Sequence, residues 1–246
     1  MLTELYFENL KAVLDKIEKT QRENISKCAE VIADSLCNNG IWHLLDTGHM
    51  LMHEGVGRAG GMMAVRPVKT EVEVNNPTRL RPIPGKKNVY LDEIEGFPKF
   101  VLGKANIMTG DILMIGSVSG INILPVEMAL KAREMGVKTI ALTSVEYSGF
   151  LKSNHSSGKR LFEVCDYVLD NCGVVGDALV EVEGLGKSIC PSSGLAASYL
   201  MWALQADVVE KMLARGKKPS VYISNHIENA SLINNESWKQ YEICGY

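Results

Sequence analysis

The sequence has no surplus of charge of either sign, no paired-cysteine motif and no long apolar run, and each absence removes a class of function. Across 246 residues, 26 basic and 29 acidic side chains leave a formal net charge of −3. That balance provides no electrostatic footprint for DNA, RNA or an anionic membrane. The basic cluster Arg79, Arg81, Lys86 and Lys87 is set among prolines and reads as a solvated loop. The six cysteines, Cys28, Cys37, Cys165, Cys172, Cys190 and Cys244, include no CxxC pair and stand in segments that otherwise read as core or helix; they read as reduced thiols. No run reaches about 18 apolar residues. The opening stretch MLTELYFENLK carries Glu4, Glu8 and Lys11 where a signal peptide needs an unbroken apolar segment. A cytoplasmic protein with no membrane segment and no nucleic-acid partner is expected. Internal repeats and low-complexity tracts are also missing.

What is present is a large apolar fraction, 46% of the chain, enough to bury a full core as one large domain or a domain with appendages. From residue 2 to about residue 37, Leu5, Leu10, Val13, Leu14, Ile17, Ile25, Cys28, Val31 and Ile32 recur at helical spacing with charges between them, predicting one long helix or two. CNNG at 37–40 stops it. The expected organisation is an N-terminal helical segment, 1–38, leading into a single unit, 39–246, that ends in a tail. IWHLLD predicts a short buried strand ending at Asp46, GHMLMHEGVGRA a helix, and MMAVRPV an extended segment that Pro67 confines to an edge or a strand end. Prolines and glycines then break any period over 69–106, which reads as an irregular excursion. Strand signals return at 111–115, a helix follows over about 122–135, and KTIALTS, YVLDN and ALVEVE read as strands. SGLAASYLMWALQADVVEKMLARG reads as a helix that Gly216 ends. Strands alternating with helices predict an α/β fold with a parallel sheet covered on both faces.

One stretch, GDILMIGSVSGINILPVEMALKAREMG at 110–136, places Ser117, Ser119, Gly120 and Asn122 where a buried strand ends and a helix begins. In a doubly wound sheet, ligands bind at that junction, because helix N-terminal amides are unpaired there and face a crevice. A phosphate needs several short donors converging without steric obstruction, which serine and glycine supply at such a turn. Ser119 or Asn122 acting simply as a helix N-cap accounts for the same residues. The residues alone leave both readings open.

The stretch GDILMIGSVSGINILPVEMALKAREMGVKTIALTS resembles the core of the sugar isomerase (SIS) domain: a strand, S-x-S-G-x-[ST], a helix, and a second strand ending in threonine or serine. AVRPV, HSSGKRLFEVCDYVLDN, GDALVEVEGL and VYISNHIENASLIN extend the resemblance over nearly the whole chain. They point to a bacterial subgroup of SIS proteins whose activities are assigned only by likeness to phosphoheptose and other sugar-phosphate isomerases. The resemblance implies a flavodoxin-like parallel sheet with helices on both faces. It also implies a sugar phosphate bound across the strand carboxyl ends, no cofactor, and a homo-oligomer, dimer or tetramer. Carried over residue by residue, Ser117, Ser119, Gly120 and Asn122 form the phosphate loop, with Asn122 replacing the usual third hydroxyl, and Thr143 and Ser144 close the next strand. Thr47, Gly48 and His49 match the first ligand loop, whose pattern is G-x-G-x-S. Here it reads DTGHM, so Asp46 stands for the first glycine and Met50 for the serine. HEGVGR resembles the E-x-x-G-R segment of phosphoheptose isomerases, which makes Glu54 the candidate proton-shuttling base. The histidine that opens their last helix has no counterpart in ICPSSGLAASYL.

Of the remaining histidines, His49 and His53 are four apart beside Glu54. On a helix they would share a face, either as metal ligands or as ordinary polar residues; no metal site is expected. His43, inside a strand, reads as a hydrogen-bonded residue. His155, in SNHSSGKR, is a candidate for the anion. His226, in a C-terminal tail of the kind that related enzymes close over the ligand, is with His49 an alternative catalyst to Glu54. The expected function is phosphosugar binding with aldose–ketose isomerisation. The alternatives are a non-catalytic sugar-phosphate sensor and a lyase or etherase acting on an amino-sugar phosphate.

Overall fold

The computed structural model describes residues 1–73, 91, 94 and 96–246; the basic cluster at 79–87 lies outside the described residues. The first helical stretch is two helices, α1 (Leu2–Thr20) and α2 (Arg22–Cys37), meeting at Gln21. Gln21 donates its amide to the Ile17 carbonyl and accepts from the Ile25 amide, so it ends one helix and starts the next. Val13 and Ile17 face inward from α1, and Cys28, Ala29, Ile32, Ala33 and Leu36 from α2, a spacing of three and four that gives each helix one apolar stripe.

Five strands follow: β1 (Trp42–Asp46), β2 (Val65–Pro67), β3 (Ile112–Gly116), β4 (Lys138–Thr143) and β5 (Tyr167–Asp170). They form one parallel sheet in the order β2-β1-β3-β4-β5, which is the flavodoxin-like order. Pro67 ends β2 at the sheet edge, where its missing N–H costs no ladder bond. The strands alternate between two cores. Trp42, Leu44, Ile112, Met114, Ile140 and Leu142 join the α2 residues and α7 (Ser193–Ala214). Leu45, Leu113, Ile115 and Ala141 join α3 (Phe97–Lys104), α4 (Ile123–Glu134) and α6 (Leu161–Val164). Both faces are therefore covered, which is why β1 and β3 are buried along their whole length.

Several segments differ from the sequence expectation. GHMLMHEGVGRA forms turns and bends rather than a helix; Met50 and Leu51 join the core beneath α2 and α7, while the Asp46 carboxylate takes the Gly48 and Leu51 amides. The excursion over 69–106 contains α3, entered at Gly96 with φ +75° and Pro98 near the helix start. ALVEVE becomes β6 (Ala178–Val182), which stands outside the parallel sheet. It forms an antiparallel hairpin with β7 (Lys187–Pro191) through a single 3-10 turn. Beside these, α5 (Val145–Phe150) follows β4, and the expected tail holds a further helix, α8 (Ala230–Cys244). Backbone bonds between 60–63 and 220–222 fasten the segment before α8 to the chain leading into β2. Arg66 of β2 lies under Trp238 and Tyr241 of α8. All six cysteines are unpaired, and burial pushes the Cys28 and Cys165 thiols up to about 12. Among the described residues no helix is long and apolar enough to cross a membrane.

Candidate functional site

In the order β2-β1-β3-β4-β5 the chain reverses direction between β1 and β3, whose last residues, Asp46 and Gly116, are direct partners. Crevices form at that reversal, outside the carboxyl ends of the strands. Two loops leave it side by side.

The loop after β3, 117–122, is held from behind by its carbonyls. Gly116 accepts from the Thr47 amide and hydroxyl at 3.0 and 3.1 Å, and Val118 from the Ser144 amide and Thr143 hydroxyl at 3.0 and 2.9 Å. Gly120 accepts from the Leu161 amide at 2.8 Å, and Ile121 from the Asn154 amide at 2.9 Å. The amides of Val118, Ser119, Gly120, Ile121 and Asn122 have no acceptor among the described residues, and neither do the Ser117 and Ser119 hydroxyls. Gly120 holds the turn at φ +59°, where a Cβ would come within 3.0 Å of Thr143 Oγ1 and 3.2 Å of Ser148 Oγ. Glycine is required there for both conformation and space. Asn122 is the N-cap of α4 without a side-chain bond to the helix; its amide oxygen instead accepts from Asn154. A turn with its carbonyls tied back and its amides unmatched at a helix start is a fitting receptor for an anion.

The loop after β1 has the opposite arrangement. Asp46, buried, accepts from the Gly48 amide at 3.1 Å and from the Leu51 amide at 2.6 Å. The Thr47 amide and hydroxyl are engaged by Gly116. Thr47, Gly48 and His49 are exposed, but the donors of the first two are already occupied. Met50 turns inward: its Cε is 3.4 Å from where a Gly116 Cβ would stand, and its sulfur receives Asn171 Nδ2 at 4.0 Å. Where the family pattern has a serine, a thioether fills the crevice.

The other candidates fall into three places. Thr143 and Ser144 are fully buried behind the phosphate loop, Thr143 bonded to Val118 and the Ser144 hydroxyl bonded to Gly173 at 2.6 Å while it caps α5. They brace the loop from the next strand. His155 is also buried, its Nε2 2.6 Å from Glu127 of α4 and its Nδ1 2.7 Å from the Ser157 hydroxyl. The Ser157 amide also donates to Nδ1, which fixes Nε2 as the ring's N–H donor toward Glu127. His155 thus anchors the segment whose Asn154 and Leu161 amides hold the 117–122 loop. Glu54 pairs with Arg58 at 3.2 Å, both about half exposed. With His49 and Met50 it lines a recess against Leu195, Ser198 and Trp202 of α7. His53 opens to the other side of the same loop, into a cavity shared with Thr47. The two histidines therefore do not share a helical face, and among the described residues no group of three or more His, Cys, Asp or Glu side chains converges as metal ligands do. His226 is exposed, and among the described residues its only hydrogen bond runs from its amide to the Ser224 hydroxyl. His43 bonds the buried Asp111 at 3.2 Å at the opposite end of the sheet; burial lowers its pKa against the pull of Asp111.

Sequence reasoning missed Asp46 as the group that engages the first loop, Glu127 as the partner of His155, and Asp177 at the start of α7. The Asp177 carboxylate receives the amides of Ser192 and Ser193 and both hydroxyls, the Ser193 hydroxyl at 2.6 Å. That helix N-terminus already holds an anion of its own. The aspartate lies 15 residues before Ser192, so only the hairpin between them brings it there.

Comparison with known proteins agrees with this geometry. The family profile described as SIS domain matches residues 5–144, a span that contains both loops. A UPF0309 protein of Halalkalibacterium halodurans is 32% identical over 239 residues, 96% of each chain. One from Caldanaerobacter subterraneus is 34% identical over 247 residues, 98% of each chain. Among solved structures, a phosphoheptose isomerase from Francisella tularensis superposes with a TM-score of 0.55 at 14% identity, covering 85% of this chain and 96% of that one. One from Neisseria gonorrhoeae gives 0.51 at 16% identity, covering 86% and 97%. At such identities the structural likeness is one of fold. The unmatched amides after β3, the strand order and the extent of these matches together place the chain in the SIS-domain proteins, within the UPF0309 family.

Proposed function

We propose that this protein binds a phosphorylated sugar, with the phosphate on the 117–122 loop, and interconverts aldose and ketose by proton transfer through Glu54. The observation that carries the binding step is that the amides from Val118 to Asn122 and the Ser117 and Ser119 hydroxyls have no acceptor among the described residues, since a phosphate supplies several acceptor oxygens to such a set of donors. The SIS family and the phosphoheptose isomerase fold support the substrate class. For the proton transfer, Glu54 lies on the loop beside the crevice, in a recess that also holds His49. Its pairing with Arg58 in an exposed position is worth only about 0.2–1 kcal/mol and is readily exchanged for a substrate. Assembly as a dimer or tetramer belongs to the same proposal. Phe7 on α1 and Leu195 and Leu213 on α7 are exposed apolar positions available for it, and light scattering at micromolar concentration decides it.

A second reading, a sensor that binds the sugar phosphate without turning it over, is favoured by the start of α7. Asp177, Ser192 and Ser193 form a closed cap there, in place of the histidine that the isomerase resemblance requires. The two readings separate in heavy water. In the isomerase, sugar phosphates acquire solvent deuterium at C1 or C2, and Glu54→Gln binds them as well as the parent but exchanges at least about a hundredfold more slowly. Equal exchange by the variant removes Glu54 as the base. No exchange by a parent that binds the sugar phosphate selects the sensor.

A further inference from the structure

The first loop separates two spaces at the carboxyl edge of the sheet. On the α7 side lies the recess with His49 and Glu54. On the other side Thr47 and His53 open into a cavity of about 350 Å³. Its apolar walls include Leu45 from β1, Val68 just beyond β2, Phe97 and Val101 from α3, and Leu124 and Met128 from α4. Six polar or charged residues, Asp46, Thr47, His53, Lys69, Thr70 and Glu71, line the same cavity. A cavity of about 150 Å³ lined by aliphatic and aromatic side chains accommodates a benzene ring, so this one has room for a substituent well beyond a methyl group.

Two wall residues of the cavity neighbour the 117–122 loop. Thr47, one of its walls, holds the Gly116 carbonyl with both its amide and its hydroxyl. Leu124, another wall, is the second residue of α4, the helix that starts where the loop ends. A ligand with its phosphate on the amides of Val118 to Ile121 therefore has these apolar walls beside its body. The polar part of the lining can partner sugar hydroxyls, whereas hydroxyls buried against the Leu, Val and Phe side chains are left without partners, so that part suits an apolar substituent.

We infer that the cavity is a specificity subsite for an apolar acyl or alkyl substituent carried by the phosphosugar. This inference rests on the phosphosugar reading given above and narrows its substrate class. Each methylene transferred from water into such a cavity is worth about a fourfold gain in affinity.

The test is calorimetry with glucosamine 6-phosphate N-acylated by acetyl, propionyl, butyryl and hexanoyl groups, with glucose 6-phosphate as the reference in every protein. Affinity is expected to climb about fourfold per added methylene and to level off as the cavity fills. Val101→Phe, which occupies the space, should flatten the series. Val101→Thr, nearly the same shape with a hydroxyl on the wall, should make it shallower and covers the case in which the phenylalanine variant does not fold. A flat series in a parent that binds glucose 6-phosphate overturns the subsite and leaves the phosphosugar reading standing. Failure to bind any phosphorylated member overturns both. Equal affinity for N-hexanoylglucosamine lacking the phosphate uncouples the cavity from the loop and overturns the inference as well.

Discussion

The loops that leave β1 and β3 start from residues that face each other, Asp46 and Gly116, yet they treat their backbone donors in opposite ways. After β1, a buried carboxylate collects the amides of Gly48 and Leu51, and the Thr47 donors are fixed to the neighbouring strand. After β3, the carbonyls of Gly116, Val118, Gly120 and Ile121 are the fixed groups, and the amides from Val118 to Asn122 have no acceptor among the described residues. The difference teaches that a glycine- and serine-containing turn becomes a receptor only when the rest of the fold satisfies its acceptors and leaves its donors. Both turns sit at the same topological crossing; one is closed on itself, and the other keeps donors without acceptors among the described residues.

Removing the donors of the open loop should produce the largest effect. In Ser117→Ala/Ser119→Ala, sugar-phosphate binding weakens by about 2–4 kcal/mol, taking about 1.5–3 kcal/mol for a hydrogen bond to a charged group with imperfect additivity. The fold persists, because neither hydroxyl holds another described residue. Calorimetry on the folded variant checks it, and unchanged affinity would erase the contrast between the loops. Thr47→Val, on the closed loop, leaves the affinity nearly as it was.

The closed loop should fail in a different way. Asp46→Ala leaves the Gly48 and Leu51 amides without their acceptor and destabilises the fold by about 1–3 kcal/mol, read by urea denaturation. Affinity for inorganic phosphate rises in the same variant, because a negative group next to Gly116 has gone and two amides are released. Stability loss together with weaker phosphate binding would mean that Asp46 shapes the open loop rather than silencing its neighbour.

The smallest effect belongs to the far end of the sheet, where polar groups are buried for structure alone. Burial holds His43 below the ordinary histidine pKa of 6.5, against the opposing pull of Asp111 and with Arg66 adding to the depression. The folded state therefore binds that proton less readily than the unfolded chain, and stability declines as pH falls below about 6.5. His43→Gln should make the denaturation midpoint less sensitive to pH between about 7 and 5. A variant as sensitive as the parent would assign that dependence elsewhere.

The strands and the long helices were legible because their signals are local. Ile112, Leu113, Met114 and Ile115 form an apolar run, and Cys28, Ile32 and Leu36 recur every four residues. The turn at 117–122 was legible for a similar reason, being a small polar run between two strong periodic elements. The turns at 48–59 were misread as a helix because the spacing of Leu51, Met52 and Val56 mimics one, whereas the Asp46 carboxylate takes the Gly48 and Leu51 amides. The hairpin and α8 were obscured by short, mixed segments whose stability comes from what they pack on, such as Asn9 of α1 bonding Leu179.

The sequence by itself determined the fold class and the residue types offered where the strands end, since burial period and turn chemistry are written along the chain. Only the tertiary structure decided which loop has free donors. It also decided that His155 is anchored to Glu127, that Asp177 closes the start of α7, and that Thr47 and His53 face a cavity rather than the recess of Glu54. The physical reason is that a hydrogen-bonding group has a function only after its competitors have been satisfied, and those competitors are brought together from distant parts of the chain.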